Sequence, residues 1–224
     1  MKMLKPTSRA RTLLALIVSL LPSNGLRILF YRALFGYRFG AGSGVGFGTL
    51  ITCATFTCGA RTFIGRDNRF IGPFKVEIGD KVIIGRFNRF TAGAMAADPS
   101  KAKMNYALHL RVGDGVLIND SHYFDVYGRI SIGDGTWVAG AGSQFWTHGA
   151  SVLDRDIDIG ARCYLGSAVR FAPGAGIADD CILGLGSVVV SRLTETSRVV
   201  AGFPAKPLRP IDASDDRQFV FEMQ

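Results

Sequence analysis

The feature that most constrains this chain is a period of six. From Ile159 onward a bulky apolar residue recurs at Ile159, Leu165, Phe171, Ile177, Leu183 and Val189 without a miss. Several are followed directly by a small residue, as in Ile159-Gly160, Leu165-Gly166, Ile177-Ala178 and Leu183-Gly184. The same period runs through Val112, Ile118, Phe124 and Ile130, restarts at Ile132 and Val138, and appears upstream in Ile64, Phe70, Val76 and in Ile78, Ile84, Phe90. A repeat of six fits neither the 3.6 period of a helix nor the simple alternation of a long strand. It fits a triangular coil of three short strands per turn, with one apolar side chain per side pointing to the axis and small residues at the corners. Successive coils would stack about 4.7–4.9 Å apart through parallel backbone hydrogen bonds.

The restarts give the coil length. Val112-Gly113-Asp114 and Ile132-Gly133-Asp134 lie 20 residues apart, as do the segments GRDNRF at 65 and GRFNRF at 85. Each block is three hexads plus two residues. The pattern lapses over 91–109 (TAGAMAADPSKAKMNYALH), which predicts a loop extruded from the stack. Loops of that length in a compact domain are often functional.

These hexads resemble the [LIV]-[GAED]-x-x-[STAV]-x repeat of the left-handed parallel β-helix proteins, over roughly residues 39–209. The resemblance implies an all-β fold and supplies the hand of the coil, which the period alone does not. The expected organisation is a helical segment at 1–38, a β-helix domain at 39–209 with the loop at 91–109, and a tail at 210–224.

Charge marks out the N-terminal segment. The chain has 224 residues and a net charge of +8. Met1 to Arg66 holds nine Lys or Arg and no acid, while the other 17 bases face all 18 acids. Behind Lys2, Lys5, Arg9 and Arg11 runs TLLALIVSLL, too short to cross a bilayer, which takes about 20 apolar residues. Two short helices lying on an anionic membrane face are expected; a helical cap on the core and a cleaved signal are the other readings. A membrane surface fits this mixture better than nucleic acid, and no nucleic-acid partner is expected. The cysteines Cys53, Cys58, Cys163 and Cys181 show no C-x-x-C spacing and read as small buried thiols in a reducing cytoplasm.

Three functions are weighed for such a coil: an acyltransferase, a zinc lyase similar to the gamma-class carbonic anhydrases, and a scaffold without chemistry. The zinc reading needs converging imidazoles, and His109, His122 and His148 show no close pair on one coil. No metal is expected.

Two motifs favour the transferase. The C-terminal run Gly186-Ser187-Val188-Val189 followed by Ala201-Gly202-Phe203-Pro204-Ala205-Lys206 resembles the signature of sugar and serine O-acetyltransferases. That resemblance implies that acetyl-CoA is the acyl donor, that Lys206 and Arg209 meet its phosphates, and that Gly166, Ser167 and Gly184 let its pantetheine arm approach the backbone at corners. Corner geometry alone is the other reading of those glycines. The second motif is Ile132-Gly133-Asp134 followed by GSQFWTHG at 142–149, where the same families place a general base; His148 stands in that place. A sugar hydroxyl is a poor nucleophile, and an imidazole near pKa 6.5 suits the removal of its proton. Of Phe145 and Trp146, one should fill the axis and the other stack on sugar, and Trp146 is assigned to substrate. Asn119 resembles an asparagine of galactoside-type acetyltransferases and is assigned to the acceptor or the oxyanion. His122 and Asp125 are assigned to the acceptor; no carboxylate is assigned to orient the histidine. His122 also falls, with Asn68 and Asn88, at hexad positions that normally take small residues, which suggests a polar line on one side of the prism or outward-facing corners.

The expected protein is thus an acetyl-CoA-dependent O-acetyltransferase acting on a sugar hydroxyl of a bacterial surface glycan or its lipid-linked precursor. It is expected to be cytoplasmic and, by resemblance, a homotrimer with grooves between neighbouring prisms. Amino-sugar N-acetylation and a non-catalytic scaffold are the alternatives.

Overall fold

A computed structural model describes residues 8–212. The tail expected at 210–224 and the bases Lys2 and Lys5 therefore fall largely outside the described residues. Two helices, α1 (Arg9–Ser19) and α2 (Asn24–Phe35), precede a prism built of three parallel sheets. The first face has eight strands, from Arg38–Phe39 to Arg192–Leu193. The second has nine, ending in the antiparallel hairpin Arg198–Gly202 and Ala205–Pro210. The third has seven, from Leu50–Ile51 to Val188–Val189. Every third strand joins the same face, as a chain turning a corner every six residues must do.

The hexad residues fill the axis. Phe70, Phe90, Phe124, Phe145 and Phe171 occupy successive coils of the third face, fully buried, with neighbouring ring centroids 4.4, 4.5, 4.5 and 5.2 Å apart. Each buried ring contributes about 1.5–3 kcal/mol through lost apolar surface, with about 0.5–1.5 kcal/mol more for an aromatic pair. Phe145 is thus the axis residue of its pair, and Trp146 points outward.

The recurring Gly-Asp has a physical reason. Asp80, Asp114 and Asp134 each place a carboxylate Oδ1 over the preceding coil, accepting the backbone N–H of Ala60, Asp80 and Asp114 at 2.7, 2.8 and 2.9 Å. A Cβ at Gly79 or Gly113 would lie 2.1 Å from the Oδ1 of the next aspartate, so only glycine fits beneath it.

The polar residues that break the hexad rule face inward. Asn88 N–H donates to Asn68 Oδ1 (2.9 Å), His122 N–H to Asn88 Oδ1 (2.9 Å), and Ser143 N–H to His122 Nδ1 (3.1 Å). Asn68 and Asn88 also donate across to the carbonyls of Gly85 and Asn119 at 2.7 Å. This ladder supplies partners to backbone groups that would otherwise be buried unpaired. Beside it, at the corner between the second and third faces, each coil places a residue at positive φ, namely Gly48, Asp67, Phe87, Ser121, Gly142, Ala168 and Gly186, with Gly140 a second in the coil of Gly142.

The three faces differ in chemistry. Exposed charges on the first face are largely paired, as in Glu77 with His109 and Arg129 with Asp158, both at 2.9 Å. The second face carries an apolar column in register: Phe63, Ile83, Leu117, Trp137, Tyr164 and Ile182. The third carries Arg69, Arg89, Tyr123, Gln144 and Arg170 in register.

Both helices pack on the N-terminal end of the stack. Ala15, Val18, Tyr31 and Phe35 are buried there, and Arg11 and Arg27 are turned inward. Arg11 Nη2 donates to Tyr37 Oη and the Cys53 carbonyl, and Arg27 Nε to the Val45 carbonyl at 2.8 Å. These two bases therefore serve the cap and do not contribute to an outward basic face. The opposite side of α1 exposes Leu13, Leu16, Ile17 and Leu20, an i, i+3, i+4, i+7 stripe. Among the described residues no helix is long and apolar enough to cross a membrane.

Candidate active site

His148 follows the third-face strand Gln144–Trp146, at the corner where the chain turns toward the first face. Two interruptions of the hexad period meet at this corner. One is 92–108, which carries the short 3-10 helices Ala94–Ala97 and Pro99–Met104; the other is 149–156, directly after His148. The first lies where the sequence lapses. The second is shorter and was not singled out in the repeat.

The strand Tyr123–Asp125 pairs in register with Gln144–Trp146, which sets Asp125 beside Trp146 on the adjacent coil. Asp125 is 1% exposed. Its Oδ2 accepts the backbone N–H groups of Thr147 and His148, both at 3.0 Å, and lies 2.7 Å from His148 Nδ1. A carboxylate there fixes the proton on Nδ1 and leaves the lone pair of Nε2 directed away from it. The His148 side chain is 45% exposed, so Nε2 can reach a substrate. Below the imidazole lies Tyr127, with ring centroids 4.4 Å apart. Tyr127 Oη accepts the Gly93 N–H at 2.9 Å, and its ring meets Tyr106 edge-on at 5.2 Å. Arg155, buried in the second insertion, spans both loops: it donates to the carbonyls of Val152 and Met104 and lies 4.8 Å over the Tyr106 ring. The loops are thereby tied to the ring that supports His148.

The remaining sequence-assigned residues separate into groups. Trp146, 36% exposed, stands beside His148 and packs on Tyr123 at 4.8 Å. Asp125 does not face an acceptor; it is enclosed under His148 as the partner that sequence reading had not assigned. His122 likewise does not reach the surface. It is 1% exposed, its Nδ1 is occupied by Ser143, and burial lowers its pKa to about 4, against an opposing pull from Asp120. It is a neutral rung of the internal ladder.

Asn119, Gly166, Ser167 and Gly184 lie at the other corner, between the second and third faces, across the width of the third face from His148. Gly166 is required by stacking, since a Cβ would lie 2.6 Å from the Leu185 backbone nitrogen; Ser167 packs over Gly140. Gly184 has more room, its nearest neighbour being the Ala201 Cβ at 3.1 Å. Lys206 and Arg209 are exposed on the closing hairpin. His109 is on the first face with Glu77, so the three histidines occupy three separate environments. Among the described residues no group of three or more His, Cys, Asp or Glu is placed to hold a metal ion.

No protein-family model matches the chain. Among solved structures, the polysialic acid O-acetyltransferase OatWY is similar over 81% of this chain and 90% of its own, at 18% identity and a TM-score of 0.56. The UDP-N-acetylglucosamine acyltransferase from Campylobacter jejuni aligns over 78% and 71%, at 11% identity and a TM-score of 0.48. The first likeness shows the architecture: this chain is a left-handed parallel β-helix of hexapeptide repeats.

Proposed function

We propose that the chain is an acetyl-CoA-dependent O-acetyltransferase that acylates a sugar hydroxyl of a bacterial surface glycan or of its lipid-linked precursor. The observation that carries this reading is the contact of buried Asp125 Oδ2 with His148 Nδ1 at 2.7 Å, which aims an exposed, correctly tautomerised Nε2 outward. His148 Nε2 takes the proton of the acceptor hydroxyl as its oxygen attacks the thioester carbonyl. The C–S bond then breaks, and His148 returns the proton to the departing thiolate, leaving an acetyl ester and free coenzyme A. Asp125 stabilises the imidazolium between these two transfers. Trp146 and Tyr123 offer an aromatic surface beside the base for a sugar ring. OatWY, which shares the fold, is described as a polysialic acid O-acetyltransferase, in keeping with a glycan acceptor.

Lys206 and Arg209, exposed on the closing hairpin, offer cations to the phosphates of acetyl-CoA, beside the corner of Gly166 and Gly184 where its pantetheine arm is proposed to run. That corner is remote from His148 within one chain. A homotrimer supplies both to one groove, His148 from one copy and the Gly166–Gly184 corner and Asn119 from a neighbour. The apolar column on the second face, from Phe63 to Ile182, is the surface such an assembly would cover. The exposed leucine stripe of α1, together with Leu29 and Phe30 of α2 and an N-terminal segment free of acids, favours docking on the anionic inner face of the cytoplasmic membrane.

The test is incubation of the full chain with acetyl-CoA and extracted surface glycans or their lipid-linked precursors, followed by mass spectrometry. An acetyl increment removed by mild alkali is expected, and it should vanish with His148→Ala. An alkali-stable acetyl group would mean amide formation and overturn the O-acetyl assignment.

A further inference from the structure

The third face carries, two to four coils before Gln144–Trp146, a cluster that base and donor chemistry leave unused. A depression of about 460 Å³ is lined by Gly48, Asp67, Arg69, Phe87 and Arg89. Phe87 is anomalous there. Its φ is +59°, in the left-handed region that bulky side chains avoid, and it is 54% exposed. The stacked positions on either side, Asp67 and Ser121, are a short carboxylate and a hydroxyl. An aromatic held in unfavourable backbone geometry and presented to water points to a contact outside the fold.

The charges are equally uncommitted. Nearby Arg86 pairs with Asp120 at 2.9 Å, and Arg129 and Arg192 pair with Asp158. Among the described residues no carboxylate forms an ion pair with Arg69 or Arg89, which stand in register on adjacent coils. The column continues from Arg89 to Tyr123 and then Gln144. Arg89 stands two coil steps, about 10 Å, from Gln144, and Arg69 stands three, about 14 Å, so the depression opens onto the face that carries Tyr123 and Trp146 and ends at His148.

Resting on the acyltransferase reading, we propose that this depression is a remote subsite for an anionic glycan, and that the acceptor is therefore an extended acidic saccharide. One sugar ring lies on Phe87, with its carboxylate or phosphate between Arg69 and Arg89 and its hydroxyls donating to Asp67. The saccharide runs over Tyr123 and Trp146 and brings the reacting hydroxyl to His148. The paired cations favour an acidic sugar over a neutral one, while the aromatic floor takes the ring and the Asp67 carboxylate accepts from its hydroxyls.

The full chain, fluorescently labelled, would be applied to an array of uronic-acid glycans, phosphorylated glycans and neutral homologues. Retention of acidic glycans alone, weakened by added salt, is expected; which acidic class is held distinguishes carboxylate from phosphate. The double variant R69Q/R89Q should bind at least about tenfold more weakly, as expected for lost charge-assisted hydrogen bonds. Phe87→Ser should also weaken binding while leaving the light-scattering mass unchanged, and His148→Ala should bind as wild type. Equal retention of neutral glycans, no acidic glycan held, or R69Q/R89Q binding as wild type would overturn the subsite. So would a changed mass with Phe87→Ser, which would assign that ring to a subunit contact. Thermal stabilisation by acetyl-CoA separates the two readings: its loss in wild type counts against the transferase, whereas its persistence without acidic-glycan binding counts against the subsite alone.

Discussion

Asp125 Oδ2 holds the backbone N–H and the imidazole Nδ1 of His148 together, at 3.0 and 2.7 Å. One buried oxygen thereby fixes both the position and the tautomer of the side chain. Asp125→Asn would offer an amide of the same shape with the wrong donor pattern, either losing the Nδ1 contact or presenting Nε2 with its proton. A fall in kcat of roughly 10²–10⁴-fold is expected, with acetyl-CoA affinity kept. Steady-state kinetics beside donor titration would check this, and a KM effect with unchanged kcat would remove Asp125 from the proton-transfer machinery.

His122 gives a pH signature separate from activity. Its folded-state pKa of about 4 lies below the unfolded value near 6.5, so the unfolded chain binds the proton first as pH falls. Stability contributed by the neutral ring is present above about pH 6.5 and is lost on acidification toward pH 4, by up to about 3 kcal/mol. Asparagine already fills the same column at Asn68 and Asn88, so His122→Asn should flatten this part of the profile. Urea midpoints between pH 4 and 7 would show it; parallel curves for the two proteins would contradict it.

The axial ring stack should be the most sensitive part of the core. Phe124 lies between Phe90 and Phe145 with both centroid distances at 4.5 Å. Phe124→Ala should cost about 3–5 kcal/mol through lost burial and an unfilled cavity. Because Asp125 is the next residue, activity should fall as well, and denaturant unfolding would separate the two effects.

Membrane docking would rest on the outward stripe of α1. Leu16→Asp with Ile17→Asp should abolish flotation with anionic phosphatidylglycerol vesicles while leaving the unfolding midpoint unchanged, since both side chains are exposed. Unaltered flotation would move the membrane contact elsewhere.

The coil was legible because its period is written into the chain: an inward residue every six positions, and a glycine wherever the next aspartate must sit, as at Gly79 under Asp114. The loop at 92–108 was visible as a break in that period. Neighbours across coils were not. The separation from Phe124 to Phe145 is 21 residues rather than 20, because the intervening second-face strand carries a bulge where Ile118 pairs with Val138 but Asp120 with Ala141. Only with that register does Asp125 fall beneath His148. His122 was misassigned for a related reason. A polar residue in a hexad slot reads as an outward corner or a polar line until its neighbours in the stack are seen to engage it from within, Asn88 Oδ1 accepting its backbone N–H and Ser143 N–H donating to its Nδ1.

The most direct measurement is thermal unfolding of the full chain with increasing acetyl-CoA, which needs no knowledge of the acceptor. A donor held at about 100 times its dissociation constant should add roughly 2.7 kcal/mol to a reversible unfolding free energy. The expected result is a dose-dependent rise in Tm for wild type and for His148→Ala alike. No rise at millimolar acetyl-CoA would contradict the assignment of this coil as an acetyl-CoA-dependent transferase.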